Sequence, residues 1–147
     1  VKKKATRKRP SKRKNLGKFK SALEKYCSDR LREEKLKFSY ETHEYCLIEG
    51  FRFPHTYLKM TPKRKTLMDR SNSWQQPIRY TPDFVGDGER WIIETKGFIP
   101  SHHDFPMRWK LFLKFLVDNG KDCNVYIARN RSQVDEAIED IKAKGRE

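Results

Sequence analysis

Tyr80-Thr81-Pro82-Asp83-Phe84-Val85-Gly86-Asp87-Gly88-Glu89-Arg90-Trp91-Ile92-Ile93-Glu94-Thr95-Lys96-Gly97 is the stretch whose reading decides the fold. Two apolar runs, Phe84 with Val85 and residues 90–95, flank Gly86-Asp87-Gly88, and Asp-Gly between apolar runs is a strong hairpin signal. Side chains alternate along a strand, so Glu94 and Lys96 share a face with Ile92. If Asp87-Gly88 forms a two-residue turn, Gly86 pairs with Glu89, Val85 with Arg90 and Asp83 with Ile92. Residues opposite one another in a ladder point to the same side. Asp83 then lies on the face of Glu94 and Lys96, diagonal to Glu94. A three-residue turn would place it on the other face.

Downstream of this hairpin, Pro106 suits the first turn of a helix with Leu111, Phe112, Phe115 and Leu116 on its apolar face and Gly120 as its stop. Residues 124–128 read as a short apolar strand. Ser132 then caps a last helix with Val134, Ala137, Ile138 and Ile141 inward. Upstream, Leu23, Tyr26, Cys27 and Leu31 recur at helical spacing behind Ser21. Phe38 and Tyr40 alternate as in a strand, and alternation returns in the other parity at Tyr45 and Leu47, which predicts a bend or bulge between. Residues 54–79, punctuated by Pro54, Pro62 and Pro77 and carrying Lys63-Arg64-Lys65, read as a long loop or an inserted hairpin. The order is α-β-β-β-α-β-α without internal repeats. A strand, a crossover helix and a further strand imply a parallel pair, so the class is mixed α/β.

The chain has 147 residues, which suits one domain, and its nine Phe, six Tyr and three Trp can fill one modest core. No window approaches the roughly 18 apolar residues of a membrane span. The basic N-terminus is not followed by an apolar run, so no secretory leader is predicted. The formal net charge is +14. Residues 1–20 hold 11 Lys and Arg, among them Lys12, Arg13, Lys14 and Lys18, and no acid. Residues 1–18 therefore read as a disordered basic tail that seeks polyanions, with residues 19–147 as the domain. A solubility or nuclear-address tail accounts for the same run equally well. Cys27, Cys46 and Cys123 are far apart and lack metal-ligand spacing, which predicts thiols in a reducing compartment.

Two carboxylates a few ångströms apart repel unless a cation sits between them. Mg²⁺ takes one or two carboxylates and completes its shell with water and phosphate. Lys96 beside such a pair can orient a water or neutralise charge developing on phosphorus. A strand E-x-K alone is common, and as an exposed ion pair it is worth under about 1 kcal/mol. Preceded by Pro-Asp at hairpin distance and followed by glycine, it reads as a phosphodiester-cleaving site. Arg108 and Lys110, early in the following helix, are candidates to hold the phosphate. His102, His103 and Asp104 follow Pro100-Ser101 and read as a solvated loop.

Asp83 with Glu94-Thr95-Lys96 resembles the PD-(D/E)xK nuclease signature. Phe19 through Leu31 (FKSALEKYCSDRL), Leu36 through Glu41 (LKFSYE), YTPDF and ETKG are similar to the phage endonuclease I family of Holliday-junction-resolving enzymes. Residues 45–79 are longer than that family's connection, and the text after Lys121 departs from it. The resemblance implies a restriction-endonuclease-like core with a central mixed sheet flanked by helices. It also implies an Mg²⁺-dependent, Mn²⁺-tolerant endonuclease cutting branched or four-way DNA as a homodimer, in the cytoplasm of a host cell. By the same resemblance Glu24, Asp83, Glu94 and Lys96 are catalytic, and Asp83, Glu94 and Thr95 hold the metal. The family's glutamate-bearing helix crosses to the partner, which implies that Glu24 acts in trans. Ser21-x-x-Glu24 is also a capping box, although Glu24 projects within about 20° of Leu31 on a helical wheel. The alternatives are a nuclease of this signature acting on a flap, nick or transposon end, and a non-catalytic DNA-binding protein of the same fold.

Overall fold

The computed structural model describes residues 15–97 and 103–147. Helix α1 (Ala22–Glu33) starts where the Ser21 hydroxyl accepts the Glu24 amide and buries Cys27, Ser28 and Leu31. Helix α2 (Phe105–Asp118) has a proline in its first turn, and Gly120 at φ +59° ends it, with the Lys121 amide returning to the Leu116 carbonyl. Only glycine takes that left-handed conformation without cost. Helix α3 (Arg131–Ala143) buries Val134, Ala137, Ile138 and Ile141. Its cap is Asn130, whose side chain accepts the Gln133 amide. The Ser132 expected there sits inside the first turn.

The central sheet has four strands, β1 (Phe38–Tyr40), β8 (Phe84–Gly86), β9 (Trp91–Thr95) and β10 (Asn124–Ala128), in that spatial order. β1–β8 and β8–β9 are antiparallel, while β9 and β10 run parallel with α2 between them in sequence. The sheet is therefore mixed, as the strand–helix–strand order predicted. β9 is buried along all five residues, because both faces are covered. Trp91 and Ile93 face the core shared with α1 and α3, where they meet Phe84, Cys27, Leu31 and Ile138. Ile92 and Val85 face the opposite core with Phe112 and Leu116 of α2. Period-two alternation thus sends each neighbour to a different layer.

The hairpin turn differs from the one expected. Phe84 pairs with Ile93 and Val85 with Ile92, so residues 87–90 form the link. A 3-10 turn (Asp87–Glu89) occupies it, with Gly88 at φ +69° and Glu89 at φ +54°. Glu89 is held there by the Tyr45 hydroxyl at 2.6 Å and Lys121 Nζ at 3.1 Å. The register moves by two residues relative to a two-residue turn, which preserves parity. Extended by one step, it sets Asp83 directly opposite Glu94 instead of diagonal to it. Gly86 is required because a Cβ there would lie 2.3 Å from the Trp91 indole.

Residues 54–79 belong to a longer hairpin that begins earlier than expected. β2 (Tyr45–Ile48) pairs with β7 (Ile78–Tyr80), β3 (Phe51–Arg52) with β6 (Trp74–Gln75), and β4 (Leu58–Lys59) with β5 (Met68–Asp69). These nested antiparallel pairs make a two-stranded arm rooted at Tyr45 and Tyr80, with a register break between Cys46 and Ile48. Tyr45 and Tyr80 are buried with Phe112, which anchors the root. Among the described residues, no helix is long and apolar enough to cross a membrane.

The chain N-terminal to α1 joins the body at Phe19, whose ring meets Tyr40 edge-on at 4.9 Å. The basic segment expected to be disordered, with Lys12, Arg13 and Lys14, lies outside the described residues up to position 14.

Candidate active site

β9 carries Glu94 and Thr95 to its C-terminal end, and Lys96 continues from it with its amide bonded to the Ala128 carbonyl at 2.8 Å. Asp83 lies in the bend immediately before β8. Its Oδ2 accepts the Thr95 amide at 2.8 Å and the Thr95 hydroxyl at 2.6 Å. The Asp83 amide in turn donates to Glu94 Oε2 at 3.3 Å. Asp83 and Glu94 are only 9% and 5% exposed.

Burial and the neighbouring Glu94 charge push the Asp83 carboxyl up to about 7, against the pull of its bonds from Thr95. Burial also raises Glu94, opposed by the Tyr80 hydroxyl and by Lys96. Tyr80 donates to Glu94 Oε2 at 2.6 Å, and Lys96 Nζ lies 3.4 Å from Glu94 Oε1. Lys96 Nζ also sits over the Phe105 ring, 4.0 Å from its centre. The Lys96 ammonium therefore partners Glu94 alone of the two buried carboxylates, an arrangement that favours a further cation beside Asp83.

Glu24 joins this cluster from α1. Its Oε2 accepts the Tyr40 hydroxyl at 2.6 Å and the Lys20 amide at 2.8 Å. The carboxylate returns to the amide ahead of Ser21, so it serves the helix start and the site together. Its charge acts on Asp83 of the same chain, adding to the upward shift there. Within one chain the fold brings Glu24 close enough to Asp83 for its charge to act there, while the trans arrangement implied by the resemblance concerns two copies of the chain.

An open cleft on the α2 side is lined by Glu94, Lys96, Tyr80, Arg79, Phe105 and Arg108, with Glu44, Thr81 and Asp104 at its margin. Arg108 thus stands at the cleft, as expected of a phosphate ligand, though it donates to the Arg79 carbonyl at 2.7 Å and to Asp104 at 3.0 Å. Lys110 is exposed on α2 and does not line the cleft. Lys18 lies over the Tyr40 ring, 5.6 Å from its centre, near the Glu24 side of the site. His103 is exposed, and His102 lies outside the described residues.

Sequence reasoning did not assign Tyr80, Tyr40, Arg79 or Phe105 to the site. Tyr80 and Tyr40 read as core or strand aromatics, and only their hydroxyl partners distinguish them. The adjacency of Tyr80 to Thr81-Pro82-Asp83 was the one available signal.

Among the described residues, no three His, Cys, Asp or Glu side chains form a ready-made metal cluster. Two carboxylates with water and phosphate are nevertheless an ordinary Mg²⁺ donor set. Asp83 Oδ1 receives no hydrogen bond from the described residues, and Glu94 Oε1 has only the long Lys96 contact. These two oxygens, on buried acids whose ionisation is disfavoured, fit a hard divalent cation. No family model, curated protein or solved structure matches this chain.

Proposed function

We propose that this chain is a metal-dependent endonuclease with a restriction-endonuclease-like core, hydrolysing DNA phosphodiesters at branched or four-way junctions. The observation that carries the reading is the buried Asp83–Glu94 pair at the end of β9 with Lys96 3.4 Å from Glu94. Mg²⁺, with Mn²⁺ as a substitute, would be held by Asp83, Glu94 and the Thr95 carbonyl, and supplies charge neutralisation and an activated water when bound.

The protein's own groups do the positioning. Thr95 engages one Asp83 oxygen through its amide and hydroxyl, and Tyr80 fixes one Glu94 oxygen. Each carboxylate keeps its other oxygen for the reacting centre. Lys96 is placed to hold the attacking water and to offset charge as it grows on the phosphate oxygens. Arg79 and Arg108 at the cleft, paired with Glu44 and Asp104 in the free protein, would turn to the scissile strand when it binds. Glu24, fixed by Tyr40 and the Lys20 amide, adds negative charge that is felt at Asp83. A four-way junction presents two strands to be cut, so its resolution takes two copies of this site, in keeping with a homodimer.

Incubating supercoiled plasmid with the protein in Mg²⁺, and again in chelator, separates an enzyme from a binder. Nicking in Mg²⁺ or Mn²⁺ alone is expected, together with faster cutting of a four-way junction than of a linear duplex. A plasmid left intact in both metals would remove the nuclease assignment. Equal cutting of junction and duplex would remove junction selectivity.

A further inference from the structure

The positive charge of this chain is not spread over the fold. Seven Lys and Arg against two acids lie between Tyr45 and Tyr80, while residues 21–44 and 81–147 together hold 16 bases against 18 acids. The catalytic body is thus slightly acidic, and outside the N-terminal tail the arm alone carries a positive surplus. An acidic body repels a polyphosphate, so a DNA-cutting site on it needs a separate basic element to hold the substrate.

The arm has the form such an element requires. Six of its bases, Arg52, Lys59, Lys63, Arg64, Lys65 and Arg70, pair with no carboxylate among the described residues. Lys63-Arg64-Lys65 fall in the turn between β4 and β5, at the far end from the root. Among the described residues each arm strand pairs with one other strand, so the arm is a two-stranded ribbon along its length. A ribbon of that kind fits the major groove of B-DNA, roughly 12 Å wide. Arg52 and Trp74 are register partners and so share one face, with Trp74 53% exposed. At the root, Arg79 of β7 lines the same cleft as Glu94 and Lys96. Arg79, which also bonds Glu44 at 3.0 Å, thus links the root of the arm to the cleft that holds the reacting groups.

We propose that the β2–β7 arm is a DNA clamp: it lies along a duplex flanking the cut and holds its phosphates through the basic turn. The identity of the polyanion rests on the nuclease reading of the site. The arm also exposes Phe51, Leu58, Met60 and Leu67, which a second copy of the chain could cover. Two arms each with a surplus of positive charge repel, whereas DNA attracts both, and charge selects DNA as the occupant.

The test replaces the four bases by Lys59→Ala, Lys63→Ala, Arg64→Ala and Lys65→Ala in the full chain, all at exposed positions. A second variant keeps the charge by Lys63→Arg, Arg64→Lys and Lys65→Arg. Binding to a labelled four-way junction is measured in chelator across a range of salt. Each lost phosphate contact lowers the log–log salt slope by about 0.9, so the alanine variant should lose about 2–4 from the slope. Its affinity should fall at least tenfold near 0.1 M salt, and the charge-preserving variant should bind as wild type. An unchanged slope in the alanine variant overturns the clamp. Unchanged DNA binding with loss of a wild-type dimer in sedimentation also overturns it, in favour of an interface between copies. The readout needs no cleavage: a changed slope in a protein that never cuts in Mg²⁺ upholds the arm and fails the nuclease reading.

Discussion

Asp83 is where the physical chemistry of this molecule is least comfortable without a cation. Its folded carboxyl titrates near 7 instead of 3.8, chiefly because it is buried and next because Glu94 is beside it. A raised folded value means that the folded state holds the proton more tightly than the unfolded chain. That contribution to stability is complete below about pH 4 and is lost as pH rises through about 7. Glu94 shifts in the same direction. Carboxylates held low by basic partners, such as Asp122 with Arg146 and Glu34 with Lys142, act in the opposite sense and mostly below about pH 5, so the range above it chiefly reports the raised pair. Thermal unfolding in chelator should therefore show the wild type more stable at pH 5 than at pH 8. Asp83→Asn keeps an acceptor for Thr95 and removes the charge. It should flatten that dependence and gain about 1–3 kcal/mol at pH 8. Wild-type stability that rises from pH 5 to 8 would refute the buried-pair description.

At the scale of elements, α1 and the hairpin do the assembling. Ser21 starts the helix, and its register turns Glu24 toward Tyr40 of β1 within the same chain. Mixing Glu24→Gln chains with Asp83→Asn chains after joint refolding should consequently restore no cleavage, since every site carries one defect. Recovery of nicking in the mixture would show that α1 is exchanged between copies. The helices, the parallel strand pair and the Asp83–Glu94 association were legible because periodicity and the Asp-Gly signal are local. The turn itself was not. A 3-10 link with Glu89 at positive φ depends on Tyr45 and Lys121, which are remote in sequence. The arm was half legible for a similar reason: its paired strands are two to four residues long and interrupted by prolines, so alternation never accumulates. Asn130 displaced Ser132 as cap because its side chain reaches the Gln133 amide at 2.9 Å.

At the scale of the whole molecule, the division of labour follows charge. The body is slightly acidic and holds the carboxylates, while the arm and residues 1–20 carry the surplus of positive charge, so under the proposed function affinity and chemistry reside on separate parts. Substitutions in the body should change the cutting rate while leaving DNA affinity nearly unaltered. The most direct test of this is single-turnover cleavage of an end-labelled four-way junction in Mg²⁺. Enzyme is in excess over DNA, and Asp83→Asn is compared with wild type at matched occupancy. Wild type is predicted to cut, and Asp83→Asn to cut at least about a hundredfold more slowly while binding the junction with similar affinity in chelator. Cleavage by Asp83→Asn at the wild-type rate would contradict the assignment of the buried carboxylate pair as the site of phosphodiester hydrolysis.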